Sequence, residues 1–362
     1  MDSAADDGSA DCSVVVQRGE SRAMISRSKL WETLRAAEAE RDKYGGDTTP
    51  LDWWEADAIE QTHGHVSRTD WLAERTSGIG GSDVARIVGA SPYGSALGLW
   101  GEKTGRCQPD APTDIDAVEM GHLLEPVIAE RYAAKHGIAS TLWPRYTIVV
   151  DDDYPHHRCT PDALTWHDGG WALVQLKTAS ERERGREVPL HYALQCQWEM
   201  MVTNVDRCHL VTLYGGRYLE AVVLAAEVPL QTYLAHWARR FWSLVETRTE
   251  PTRELYAGVD PEIVVKDIKR VWPKESGEIV PLPPDIAEAS KQIATLNAAI
   301  RGAEKRKKEI QQEIIRIIGP AYAAEMPDGS GMWTYKQQHN GPRAAFDSRV
   351  LRFKSDKGES DE

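Results

Sequence analysis

No run of apolar residues in this 362-residue chain approaches the roughly 18 that a membrane span requires. Nor does a basic flank precede an apolar stretch at the N-terminus, where "MDSAADDGSADCSVVVQRGE" opens acidic, which argues against a secretory signal. The five cysteines, Cys12, Cys107, Cys159, Cys196 and Cys208, are odd in number, scattered and without CxxC spacing. A disulfide framework and a structural zinc site are therefore disfavoured, and a reducing cytosol is the expected setting. Basic charge is in deficit, 43 Lys and Arg against 56 Asp and Glu, for a net −13 at pH 7. That argues against indiscriminate attraction to nucleic acid. It leaves DNA open as a substrate, because an acidic protein can hold DNA in a local basic groove and carboxylates that bind metal add to its negative count. Internal repeats are also absent. The length allows one large domain with appendages or two modest ones.

The pattern along the chain is mixed α/β. The first 20 residues are polar and read as disordered. A helix is expected over 26–46, followed by a looser, Trp-bearing connection; together these make residues 1–69 an acidic N-terminal extension. From Trp71 onward, helices are expected at 82–89, with Ser82 as N-cap, at 95–105, and at 121–137, where residues 124, 127, 128 and 132 share an apolar face. Strands follow at 146–150 and 172–178, the second preceded by an "HDGG" turn at 167–170. A helix at 191–204, a hairpin over 207–225 pivoting on Gly215-Gly216 and an amphipathic helix at 230–246 complete a core spanning 70–250. Helices, strands, a crossing helix and more strands imply helices packed around a mixed sheet. Residues 251–362 form a C-terminal extension with a long helix over 286–319 and a terminal β hairpin or tail. The helix is heptad-like only in part, because its "RGAEKRKK" centre is polar.

Chemistry concentrates in "PDALTWHDGGWALVQLKTAS", residues 161–180. Side chains alternate along a strand, so Gln175 and Lys177 share a face while Leu176 offers its backbone carbonyl between them. With the loop carboxylate of Asp162, these oxygens suit Mg²⁺, which takes hard ligands and keeps several waters. Such an ion lowers the pKa of an attacking water and neutralises a departing oxygen, with Lys177 positioning that water. The alternative makes Asp162 a turn residue and Lys177 a surface residue. "HHRC" (156–159) is a poor zinc site, since His156 and His157 point to opposite faces of an extended chain. The Trp pairs 53/54 and 237/242 read as core rather than as stacking platforms for bases.

The segments "ERTSGIGGSDVARIVGASPYGSALGLWGEKTG", "MGHLLEP", "TPDALTWHDGGWALVQLKTAS" and "HYALQCQWEMMVTN" follow in order over roughly 70–225. Together they resemble the YqaJ-type viral recombinases, relatives of phage lambda exonuclease in the PD-(D/E)xK nuclease superfamily. The resemblance implies a restriction-endonuclease-like core and a Mg²⁺-dependent exonuclease, with Mn²⁺ as a substitute. Such an enzyme degrades one strand of linear duplex DNA 5′→3′ and leaves a 3′ single strand for an annealing protein. It also implies ring-shaped trimers and a phage or prophage protein in the bacterial cytoplasm. Carried over residue by residue, it makes Asp162, Gln175, the Leu176 carbonyl and Glu125 the metal ligands, Glu125 through water. Lys177 is then catalytic, Gln195 orients the nucleophilic water, and Arg75 with Ser82 binds the 5′-phosphate. Each match has a plain structural counterpart. Ser82 can be only a cap and Arg75 an ion-pair partner. Pro126 would sit in a first helical turn, where Glu125 is favourable on dipole grounds alone. Gln195 can bind backbone.

Where the family pattern carries glutamate, this chain has Gln175. The amide keeps an oxygen for Mg²⁺ but loses a charge and brings an NH₂ that must face elsewhere. Three readings follow: an active nuclease with weaker metal affinity, a site inactivated by substitution, and a DNA-end binder on a nuclease scaffold. The first is preferred.

Overall fold

The structure is a computed structural model, and it describes residues 24–43, 68–109, 115–138, 140–143, 147–274, 277, 279–339 and 347–355. The expectations for the first 20 residues, Cys12 and Trp53-Trp54 lie outside these. The chain divides into two compact units, 1–275 and 276–362.

The first unit is organised by a five-stranded mixed sheet. In chain order the elements are β1 (Met24–Ser26), α1 (Arg27–Lys43), α2 (Arg68–Thr76), α3 (Gly81–Ile87), α4 (Ala96–Lys103), α5 (Ile115–His136) and β2 (Ser140–Leu142). They continue with β3 (Ile148–Val150), β4 (Arg158–Cys159), β5 (Ala163–His167), β6 (Gly170–Ala179), α6 (Leu190–Thr203), β7 (Arg207–Tyr214), β8 (Tyr218–Ala225), α7 (Val228–Glu246) and α8 (Pro261–Val271). The main sheet runs β2-β5-β6-β7-β8, with β6 and β7 parallel and the other pairs antiparallel. A parallel pair needs a crossover, and α6 supplies it. The β5–β6 hairpin turns through Asp168 and Gly169, both at positive φ (50° and 75°). That is the primed two-residue turn whose twist matches paired strands. Gly215 and Gly216 (φ 56° and 69°) close the β7–β8 hairpin where the sequence placed its pivot.

Strand alternation divides the core. Leu173, Cys208 and Leu210 face α6 through Leu194 and Trp198 in the larger cluster, to which Trp237 and Trp242 add partly buried rings. Val174, Leu176 and Val211 belong to a second cluster with Ile128, Ala129 and Tyr132 of α5. Helices thus cover a mixed sheet, as the α/β reading required. The unit runs past Pro251, because amphipathic α8 docks on α4: the buried Asp267 carboxylate accepts from Ser95 N and Oγ at 2.8 and 2.7 Å.

Three expectations need correction. Helix α5 begins at Ile115, so Pro126 lies in its interior and Glu125 is not at its start. The ring removes the N–H that the His122 carbonyl would accept, yet the flanking turns hold the helix together. On the same helix Val127 is 50% exposed rather than on the buried face. In α3 the N-cap is Gly80, not Ser82. Asp83 closes the cap by accepting from Gly80 N at 3.0 Å, which leaves Ser82 in the first turn.

His156 stacks on Trp242 and His157 on Tyr154, while Cys159 is core. Burial depresses the imidazoles of His157 and His209 to about 3 and about 4. Unfolding returns each toward 6.5. The stability carried by the neutral rings is therefore complete above that value and lost as pH falls toward the folded values. By pH 5 each ring is expected to cost about 2 kcal/mol. Urea unfolding at pH 7 and pH 5 measures the loss, and His209→Gln should flatten part of it.

The second unit contains α9 (Pro284–Ile318), β9 (Ala323–Glu325), β10 (Gly331–His339) and β11 (Asp347–Ser355), with the strands ordered β11-β10-β9, all antiparallel. No helix among the described residues is long and apolar enough to cross a membrane.

Candidate active site

The hairpin register sets the site. Ala163 pairs with Val174, so Asp162, one residue before β5, arrives beside Gln175. Asp162 Oδ2 accepts from Leu176 N at 2.8 Å and lies 4.0 Å from Lys177 Nζ. In a strand a residue's N–H and C=O face the same neighbour. The Leu176 carbonyl therefore points to the edge that Asp162 occupies, beyond the end of β5. Helix α6 closes the other side with Tyr192, Gln195 and Glu199, spaced three and four residues apart on one face. Lys177 Nζ sits 5.5 Å from the centre of the Tyr192 ring.

Gln175 is completely buried and orders this cluster. Its Oε1 accepts from Lys177 Nζ at 2.9 Å and from Gln195 Nε2 at 3.3 Å, and its Nε2 donates to Glu199 Oε2. Lysine can only donate and a carboxylate accepts, so the amide has one workable orientation. Gln195 Nε2 also donates to Glu199 Oε1 at 2.9 Å. Glu199, 1% exposed, is a member of the site that the sequence reading passed over. Its position four residues after Gln195, on the same helical face, was the available signal. Burial, reinforced by the charge of Asp162, pushes its carboxyl up to about 8. Burial also raises Asp162, against the pull of Lys177 and the Leu176 N–H. Lys177 is held above its ordinary value despite burial, because Asp162 and Glu199 face it.

The first residue of α3 must be small. A Cβ on Gly81 would lie 2.5 Å from Glu199 Oε1 and 3.0 Å from Gln195 Cγ. The glycine lets the start of α3 press against the carboxylate, and the neighbouring Ser82 accepts from Arg75 Nη2 at 3.2 Å. Lys103 stands behind them, 2.8 Å from Asp83 and donating to the Arg75 carbonyl at 2.7 Å. Burial would raise Asp83, but Lys103 and Arg75 hold it below the usual carboxylate range. Two cations against one carboxylate leave this corner net positive.

The structure thus brings together Asp162, Gln175, Leu176, Lys177 and Gln195, and separately Arg75 and Ser82 beside them. Glu125 lies on α5 one turn after His122 and one turn before Ile128, which packs under the sheet. Among the described residues no three His, Cys, Asp or Glu side chains converge on one point. Even so, the donors suit a hard divalent cation: Asp162, the Leu176 carbonyl, the Gln175 oxygen and Glu199, whose carboxyl is kept protonated by burial and would ionise against a cation. Gln175 can offer its oxygen only by giving up one of its two donors, of which the 3.3 Å contact from Gln195 is the weaker.

Residues 70–206 match the model of the YqaJ-like viral recombinase domain. A curated relative, uncharacterized protein YqaJ of Bacillus subtilis (strain 168), is 28% identical over 157 residues, 42% of this chain and 48% of that protein. The chain therefore spans about half the length of that relative. Among solved structures, the alkaline exonuclease LHK-Exo of Laribacter hongkongensis is similar at 17% identity and a TM-score of 0.41, over 50% of this chain and 94% of that one. A phage-related exonuclease from Haemophilus somnus 129PT is similar at 10% identity and a TM-score of 0.36, over 48% and 96%.

Proposed function

We propose that this chain, whose residues 70–206 match the model of the YqaJ-like viral recombinase domain, is a Mg²⁺-dependent exonuclease that degrades linear duplex DNA 5′→3′ and leaves 3′ overhangs for annealing. The observation that supports this most is the joining of Asp162, Lys177, Gln175, Gln195 and Glu199 in one network beside a cationic corner. Asp162, Glu199, Gln175 Oε1 and the Leu176 carbonyl would hold the ion, with Glu125 acting through water. The ion would supply Lewis-acid stabilisation of the scissile phosphate and acidify a water.

The remaining steps belong to the protein. Lys177, cationic at neutral pH, stabilises the charge that builds on the phosphoryl oxygens. Gln195 orients the attacking water once its contact with Gln175 is released. Arg75 and Ser82 receive the 5′-terminal phosphate, the guanidinium by a forked pair of hydrogen bonds. Since β6 and the start of α3 meet at Glu199, the terminal phosphate and the scissile bond are held by one rigid assembly. A single-strand annealing protein, a trimeric ring and the cytoplasm of a phage or prophage host belong to the same reading.

The test follows both strands of a linear duplex labelled at either end, with Mg²⁺ and with chelator. Shortening from 5′ ends that requires the metal and favours a 5′-phosphate is the expected result. Arg75→Ala should reduce that preference on the order of tenfold, the worth of one charge-assisted contact. A second reading, an end-binding protein of little activity, draws on the two donors that occupy Gln175 Oε1. It would be established by ends bound but left intact in both Mg²⁺ and Mn²⁺.

A further inference from the structure

Helix α9 is 35 residues long, about 52 Å at 1.5 Å per residue, yet Ile318 is its only buried residue among those described. Its apolar residues keep a seven-residue spacing throughout. Positions 286, 293, 300, 307 and 314 are Ile, Ile, Ile, Lys and Ile, and positions 289, 296, 303, 310 and 317 are Ala, Leu, Ala, Ile and Ile. These are the a and d positions of five consecutive heptads, interrupted only by Lys307. The polar centre that obscured the pattern falls mainly on the other faces. Ile293, Leu296, Ile300, Ile310 and Ile317 are 46% to 69% exposed. Such a continuous apolar stripe marks an interface, and heptad spacing fits another helix of the same repeat.

We propose that α9 pairs with α9 of a second copy of this chain in an antiparallel coiled coil. Charge selects both the occupant and its direction. Residues 284–300 carry Asp285 and Glu288 against Lys291, a net negative half. Residues 301–318 carry Arg301, Lys305, Arg306, Lys307, Lys308 and Arg316 against Glu304, Glu309 and Glu313, a net positive half. Antiparallel pairing lays each half on its opposite. It matches Ile286 with Ile317 of the second copy, Ile293 with Ile310, Ile300 with Ala303, Lys307 with Leu296 and Ile314 with Ala289. The Lys307 stem then packs on leucine while its ammonium reaches water, and the two Lys307 side chains lie about 16 Å apart along the seam. Parallel pairing would put Lys307 against Lys307 with Arg306 alongside, which like-charge repulsion disfavours.

The unit also contains a seat for the incoming helix. A groove of about 400 Å³ runs beside Ala303, Lys307, Ile310 and Ile314, walled by Trp333 of β10. In the antiparallel register the N-terminal half of the second helix fills it, with Ala289 and Ile293 against Ile314 and Ile310. The small side chain of Ala289 leaves room for the indole. This contact is independent of any association through the nuclease core.

Sedimentation velocity of the full chain over a range of concentrations tests the proposal. Leu296→Glu with Ile310→Glu should halve the mass of the assembly while circular dichroism of the nuclease unit and its nuclease activity are unchanged. A core-driven trimer would then appear as a hexamer reduced to a trimer. Direction is read by cross-linking: Ile293→Cys and Ile310→Cys chains should form a covalent dimer only when mixed, whereas a parallel pair would cross-link Ile293→Cys alone. The proposal is overturned by an unchanged mass in the glutamate variant, or by self-cross-linking of the single variants. It is equally overturned by a monomer in which Lys305→Ala with Lys308→Ala weakens duplex DNA binding, since the helix would then be a nucleic-acid contact.

Discussion

Asp162→Ala is expected to lower the rate of strand degradation by about 10³-fold or more, some 4 kcal/mol of transition-state stabilisation, while leaving duplex-end binding in place. The carboxylate has two jobs. Its Oδ2 accepts the Leu176 N–H, which orients the strand edge carrying the Leu176 carbonyl, and its charge faces Lys177 at 4.0 Å. On the proposed reading its removal would strip the ion of an anionic ligand, and it takes from the buried Lys177 ammonium the carboxylate 4.0 Å away. Asp162→Asn separates these jobs. The amide oxygen can still accept from Leu176, so the hairpin edge survives, but the charge is gone. It should fold as the parent does, bind Mn²⁺ weakly by calorimetry and be nearly as inactive as the alanine variant. On the proposed reading Arg75 and Ser82 hold the duplex end, so end binding should persist in both variants. Activity within tenfold of the parent would remove Asp162 from the ion site and with it the proposed mechanism.

The sequence exposed those parts of the fold and site that depend on local chemistry. Asp168-Gly169 and Gly215-Gly216 announce their turns because few other pairs tolerate positive φ at both positions. Once the first turn is placed, strand alternation alone puts Gln175 and Lys177 on one face and Leu176 on the other. Long-range contacts were harder to read. Pro126 suggests a helix start because a missing N–H is free of penalty there, whereas α5 carries the proline in its interior. Ser82 looks like a cap by residue type, but Asp83 is drawn into that role by Lys103, which comes from another helix. Glu199 escaped notice since nothing in "HYALQCQWEMMVTN" says that α6 will cross over β6 with that face downward. The contact with Gly81 that pins the carboxylate comes from more than 100 residues away in the chain.

Exchanging the two side chains at the centre of the site should separate a displaced ligand from a damaged one. If Glu199 supplies the carboxylate that the family pattern places at position 175, Glu199→Gln leaves two amides there, with Asp162 as the remaining carboxylate. Activity and Mn²⁺ affinity should then each fall about 10²-fold, in the range of a lost ligand or ligand-orienting contact. Gln175→Glu gives the opposite excess. Its carboxylate would meet that of Glu199 at hydrogen-bond range in a buried pocket, where like charges disfavour joint ionisation. The metal-free protein should lose about 3 kcal/mol of stability, the scale of an uncompensated buried charge, and recover much of it when Mg²⁺ is added. No gain in rate is expected. The double variant Gln175→Glu, Glu199→Gln restores one carboxylate and one amide in mirrored positions. Lys177 would then donate to a charged oxygen and Gln195 to an amide one, so activity should exceed that of Glu199→Gln by about tenfold or more, a non-additivity that neighbours sharing one bond produce. A Gln175→Glu enzyme far faster than the parent would show instead that the amide is a lesion and that Glu199 merely props it in place.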